Sequence, residues 1–158
     1  AGTEYDTLVD YPGDVRVALR MPASDSATGG LNTMSTQPAQ SAGSHFLNIN
    51  KTAGLGDAQY NFGSSGVRES YGGLSALPAN ASRIVGITPF KLRRIDDAGP
   101  HTDNVGLRYG GADVWSADGN PLSSYSYQED FRMLNPQTGT AFLPGQVPTL
   151  EVQSRVTA

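Results

Sequence analysis

Cysteine is absent from this sequence, and its only histidines are His45 and His101. The first absence removes disulfides, zinc–thiolate sites and cysteine nucleophiles together, so stability must come from packing or from burial against other subunits. The second leaves a nucleophilic triad only two candidate bases. His45 falls in a strand-like pattern and His101 follows Gly99-Pro100 in a turn, with no nucleophile-elbow sequence near either, so both read as structural. Lysine is scarce as well, since nine of the eleven basic residues are arginine. Arginine's planar fork suits interfaces that pair with carboxylates, and it is equally an ordinary surface residue. Basic charge is outweighed: the net charge of -4 and a pI near 5.0 argue against a nucleic-acid partner, which normally meets a basic face. No run approaches the roughly 20 apolar residues of a membrane span, and no signal-peptide pattern opens the chain. The Ala1-Gly2 start fits loss of an initiator methionine, and the expectation is a protein soluble when made, with no membrane partner.

What is plentiful is turn chemistry. Nineteen glycines and ten prolines suit a turn-dense β protein of one domain. Val15, Val17 and Leu19 alternate with Arg16, Ala18 and Arg20, which is the period of a half-buried strand. Strands are predicted at His45–Asn50, at Arg83–Ile95 with Pro89 implying an edge or a bulge, and at Asp103–Tyr109 with Val105, Leu107 and Tyr109 inward and Asn104, Gly106 and Arg108 outward. Further strands are expected at 112–116, at Ser124–Leu134 with Tyr125, Tyr127, Phe131 and Met133 on one face, and at 147–157 with Leu150, Val152 and Val156 on one face. Residues 58–62 and 67–71 read as a strand pair around Gly63-Ser64-Ser65-Gly66. Leu107, Phe131 and Val152 are expected to be buried between sheets. The fold class is all-β, an antiparallel β-sandwich of jelly-roll type.

The start of the chain differs. Residues 1–14 carry Glu4, Asp6, Asp10 and Asp14 with no base, and Tyr5, Leu8, Val9 and Tyr11 lie among them. Residues 21–44 have no Lys, Arg or aromatic residue and cannot offset their ordering entropy alone. They are either a flexible linker or a segment laid along another subunit. The expected division is an extended arm with one short strand over 1–44 and a sandwich domain over 45–158.

Reactive chemistry is sparse. The glycines of 53–57 lack a following GK[ST], so no phosphate loop is formed. Asp96, Asp97 and Asp103 miss the spacing of a calcium loop and read as turn residues. Glu129 and Asp130 are neighbours in a strand and point to opposite faces, which spoils them as a glycosidase pair. Glu129 on an aromatic face is odd, and suggests an arginine partner in the sheet or across a subunit boundary. No catalytic residue, metal or cofactor is expected. Trp115 is a candidate platform for a sugar ring, whereas Tyr125 and Tyr127 are expected in the core.

From Leu77 to Val156 the chain resembles a family of small bacteriophage structural proteins. The resemblance rests on Leu77-Pro78, Ile84-Val85-Gly86-Ile87, Arg94-Ile95-Asp96-Asp97-Ala98-Gly99 and Val105-Gly106-Leu107-Arg108-Tyr109-Gly110-Gly111. It closes through Ser124-Tyr125-Ser126-Tyr127, Leu134-Asn135-Pro136-Gln137-Thr138-Gly139-Thr140-Ala141-Phe142 and Leu150-Glu151-Val152. It covers about half of the chain and brings no catalytic residues. It implies a virion protein, made in the host cytoplasm and placed on the outside of the particle as a capsid decoration (cement) or head-fibre protein. Its partners would be the major capsid protein and copies of itself, with Tyr5, Tyr11, Arg16 and Arg20 as candidate interface residues. The alternative is a carbohydrate- or receptor-binding module of a tail or fibre, with a host surface glycan on Trp115.

Overall fold

Asp103–Tyr109 is the strand around which the chain is built. The computed structural model describes residues 17–41, 43–49, 58–96 and 101–158. Nine strands run in chain order: β1 (Ser24–Asp25), β2 (Ser35–Gln37), β3 (Tyr60–Phe62), β4 (Arg68–Gly72), β5 (Phe90–Arg93), β6 (Asp103–Tyr109), β7 (Ala112–Trp115), β8 (Ser126–Glu129) and β9 (Glu151–Val156). The protein is all-β, with every pairing antiparallel. Five strands form one sheet in the order β1-β4-β9-β6-β7, while β2-β3 and β5-β8 are separate two-stranded sheets.

The hairpin β6–β7 turns at Gly110-Gly111, whose φ values of 57° and 90° lie where a Cβ is disfavoured, as a two-residue hairpin loop requires. One face of the large sheet carries Leu107, Val114 and Val152 into a core completed by Leu74, Phe142, Val147 and Leu150. The lid over this core is mostly irregular, and it includes a 3₁₀ turn at Pro144–Thr149 that presents Val147 inward. Residues 147–149, expected in the last strand, belong to that turn, and the strand begins at Glu151.

Alternation along β6 holds, yet both of its sides are covered. Asn104 and Gly106, expected outward, are buried with Val105 and Leu107. Trp115 lies across Gly106, so a Cβ there would sit 2.7 Å from the indole. The central position of β6, between β9 and β7, makes its outer side chains part of a polar second layer.

Two buried carboxylates organise the stretch that carries no periodicity. Asp25 accepts the backbone N–H of His45 at 2.9 Å and of Phe46 at 2.7 Å. These bonds bend His45–Asn48 into a 3₁₀ turn where a strand was predicted. Glu69, fully buried on β4, accepts from Asn32 Nδ2 at 2.6 Å, from Met34 N–H at 2.8 Å and from His45 Nδ1 at 2.9 Å. Burial pushes its carboxyl above the ordinary value, and the donors from His45, Asn32 and Met34 act against that rise. Residues 24–34 are thereby laid along β4, with Leu31 and Met34 buried.

The predicted pairing of 58–62 with 67–71 is not made. β3 pairs with β2, and β4 pairs with β1 and β9. The loop between them is held by β9 instead, through Gly66 N–H to Val156 O and Val156 N–H to Val67 O, both 3.0 Å. The long strand predicted at 83–95 is reduced to Phe90–Arg93 plus an isolated bridge between Ile87 and Arg132, and that predicted at 124–134 to Ser126–Glu129. Phe131, expected between sheets, is 58% exposed and rests its ring on Gly86.

Removing Leu107 and Phe131 side chains separates core from surface. Leu107→Ala should cost about 3 kcal/mol, as for a buried leucine in a filled core, whereas Phe131→Ala should cost less than about 1 kcal/mol. Equal losses in urea unfolding would contradict this assignment of faces.

Candidate interaction surface

β5 and β8 form a ladder that is turned inside out. Phe90 stands opposite Glu129, Lys91 opposite Gln128, Leu92 opposite Tyr127 and Arg93 opposite Ser126. The ladder continues through Asp130 N–H to Pro89 O at 3.1 Å and the Ile87–Arg132 bridge. β5 pairs only with β8, which suits the missing N–H of Pro89. Alternate residues point to opposite sides, so Phe90, Leu92, Tyr127, Glu129, Phe131 and Met133 share one side. Lys91, Arg93, Gln128, Asp130 and Arg132 share the other.

The charged side faces the protein. Lys91 Nζ donates to Asn104 O at 2.8 Å and to Ser154 Oγ at 3.0 Å, and lies 2.7 Å from Asp103 Oδ2. Arg93 pairs with the other oxygen of Asp103. Gln128 Nε2 donates to Asp103 O at 3.2 Å and to Ser116 Oγ at 3.3 Å. Arg132 pairs with Asp130 and donates to Trp115 O at 2.7 Å, capping the outer edge of β7. These donors seat the polar side of the ladder on the Asp103 end of the large sheet, beside the apolar core.

The apolar side faces solvent. Tyr127 is 69% exposed, Met133 60% and Phe90 45%, and the Phe90 and Tyr127 rings lie tilted with centroids 6.3 Å apart. Tyr125 is also exposed, against the expectation of a core position, and the Arg94 guanidinium sits 5.1 Å from its ring centroid. A contiguous apolar face of this kind on a polar underlayer marks a contact surface.

Trp115 occupies the opposite face of the large sheet. Guanidinium carbons of Arg155 and Arg68 lie 4.3 and 5.3 Å from its ring centroid, within cation–π range. Asp113 joins the array by pairing with Arg68 at 3.0 Å and Arg108 at 2.6 Å, and these two arginines hold its carboxyl below the ordinary value against the cost of burial. An open cleft of about 380 Å³ adjoins it, lined by Arg68, Asp118, Arg155 and Thr157 among others. Neither arginine was singled out from sequence. Arg20 is half-buried and donates to Leu19 O at 3.0 Å, while Tyr5, Tyr11 and Arg16 lie outside the described residues. Among the described residues no three His, Cys, Asp or Glu side chains converge as a metal site. No protein-family model, curated protein or solved structure matches the chain.

The ladder's anchor carries a pH signature. Burial, followed by the nearby charge of Arg93, lowers the Lys91 ammonium from 10.5 to about 7. Between those values the unfolded chain holds a proton that the folded chain has released, so the contribution of Lys91 to stability rises with pH from about 7 to about 10.5. The stability of the wild type relative to Lys91→Met should therefore climb across that window, by at most about 1.4 kcal/mol per pH unit. Parallel stability profiles for the two proteins would refute it.

Proposed function

We propose that this is a bacteriophage virion structural protein, a capsid decoration (cement) or head-fibre protein that binds the outer surface of the particle and stabilises it. One observation carries the reading: the β5–β8 ladder spends its charged side on anchorage and offers Phe90, Leu92, Tyr127, Phe131 and Met133 to the outside. A surface of this kind serves adhesion. The motifs of 77–156 support the same class. In this reading the chain is a jelly-roll sandwich with an extended N-terminal arm over 1–44, whose 24–34 portion lies along β4. The partners are the major capsid protein and copies of the chain itself, and the protein works on the particle exterior after synthesis in the host cytoplasm.

The mechanism is linkage. A protein that binds only intact capsid shifts the equilibrium toward it, so rupture must also break the adhesive contacts. Aromatic anchors that become fully desolvated contribute most of such binding.

The exposed Tyr125 and Tyr127 favour one other reading, a carbohydrate- or receptor-binding module of a tail or fibre. Both are tested by adding purified protein to particles assembled without it. Tyr127→Glu should weaken co-sedimentation with particles by about tenfold or more, and deleting residues 1–20 should release the protein. Particles carrying either variant should lose their contents at lower temperature than those carrying wild type. Undiminished retention of both variants, with saturable glycan binding that Trp115→Ala abolishes, would select the glycan module instead.

A further inference from the structure

Glu129 lies in the middle of an apolar face. Tyr127 and Phe131 flank it two residues to either side, about 7 Å away along an extended chain. Phe90 stands directly opposite it on β5, where Cβ atoms lie about 5 Å apart. The register holds to both sides of this position, since Leu92 pairs with Tyr127 and Ile87 with Arg132. The three rings are each at least 45% exposed, and Glu129 is exposed among them.

Among the described residues no cation serves this carboxylate. Lys91 and Arg93 turn to Asp103 on the other side of the ladder, Arg132 turns to Asp130, and Arg94 is engaged with the Tyr125 ring. The Glu129 side chain makes no ion pair or hydrogen bond with any described residue. Any surface that covers Phe90, Tyr127 and Phe131 covers Glu129 as well and strips its water. A purely apolar partner returns nothing for that loss, which is costly. The partner must bring a positive charge to the carboxylate.

We infer that this face receives an arginine side chain of a partner protein, seated against the Phe90, Tyr127 and Phe131 rings with its guanidinium on the Glu129 carboxylate. Arginine fits this setting better than lysine. Its guanidinium is planar and weakly hydrated, and it can stack on a ring while donating two parallel hydrogen bonds to a carboxylate. The chain already seats its own arginines on rings, with guanidinium carbons 5.1 Å from the Tyr125 centroid and 4.3 Å from that of Trp115. Apolar residues beside the incoming arginine meet Leu92 and Met133, which extend the face. This rests on reading the face as adhesive and names the chemistry of what adheres to it.

Two measurements test it. In the first, the binding of full-length protein to particles assembled without it is compared for wild type and Glu129→Gln, which keeps the shape and removes the charge. An arginine left unpaired should weaken binding by about tenfold or more. A partner without a cation gives the opposite sign, because the variant has no carboxylate to desolvate. Glu129 is exposed, so the thermal melts of the two proteins should agree. Binding that Glu129→Gln leaves unchanged or strengthens, while Tyr127→Glu still weakens it, overturns the inference and leaves the proposed function standing. In the second, N-acetyl-arginine methylamide is titrated into isotope-labelled full-length protein and followed by nuclear magnetic resonance. The Phe90, Tyr127 and Phe131 ring signals should shift with arginine, stay in place with the neutral citrulline analogue, and lose the response in Glu129→Gln. No particle is needed here, so the result decides the inference even where wild type fails to bind particles, an outcome that removes the proposed function alone. Equal responses to arginine and citrulline, or none to either, overturn the inference. So does self-association of the purified protein that Glu129→Gln and Tyr127→Glu both abolish, which assigns the face to a second copy.

Discussion

Asp103 is the charge on which the arrangement of this protein depends. Its carboxylate receives Lys91 and Arg93 from β5, its carbonyl receives Gln128 from β8, and its backbone exchanges two hydrogen bonds with Gly119. Gly119 has no side chain for a physical reason, because a Cβ there would lie 2.6 Å from the Arg93 guanidinium. One acidic residue at the start of the central strand therefore fixes a separate two-stranded sheet against the large one. It also decides which side of that sheet meets water.

The choice of side can be weighed. Turning the ladder over to bury Phe90, Leu92 and Tyr127 gains about 1.5–3 kcal/mol per side chain. It also strips Asp103 of both cations, and a buried charge left alone costs about 3–5 kcal/mol. Asn104 O and Ser154 Oγ would lose Lys91 as well, at about 1–3 kcal/mol for each buried group left unsatisfied. The polar side prevails because its partners are already in place on the sheet. A similar logic holds on the opposite face, where Trp115, Arg68, Arg155, Arg108 and Asp113 cover β6 without any aliphatic layer.

The sequence made β6 and β7 legible and left the sidedness of the β5–β8 ladder hidden. Alternation located 103–109 and 112–116 closely, because Gly110-Gly111 and the β-branched and aromatic residues mark a tight hairpin. It also found the period of 124–134, but assigned the aromatic face to the core. Periodicity tells that two sides differ, and only the partners on Asp103, more than twenty residues away from Gln128, tell which side is inside. The turn at His45–Asn48 was hidden for the same reason, since the acceptor that bends it is Asp25. The loop between β3 and β4 is hydrogen-bonded to Val156 of β9, far along the chain. At the candidate surface, Glu129 was visible as an anomaly on an aromatic face, while Phe90 and Leu92 acquired meaning only through the register that sets them opposite Glu129 and Tyr127.

An apolar face held outward by a buried carboxylate has a consequence for specificity. Exposed strands with aromatic side chains invite indiscriminate pairing, and proteins restrain them with charges placed among the apolar positions. Glu129 has that effect here. It raises the cost of contact with a surface that brings no cation to it, and leaves the apolar area available to one that does. The two strands are also short, with β5 and β8 of four residues each, so little edge is offered beyond the face itself. Anchorage from within and a charge among the apolar positions thus allow one face to remain adhesive while the choice of what adheres to it stays narrow.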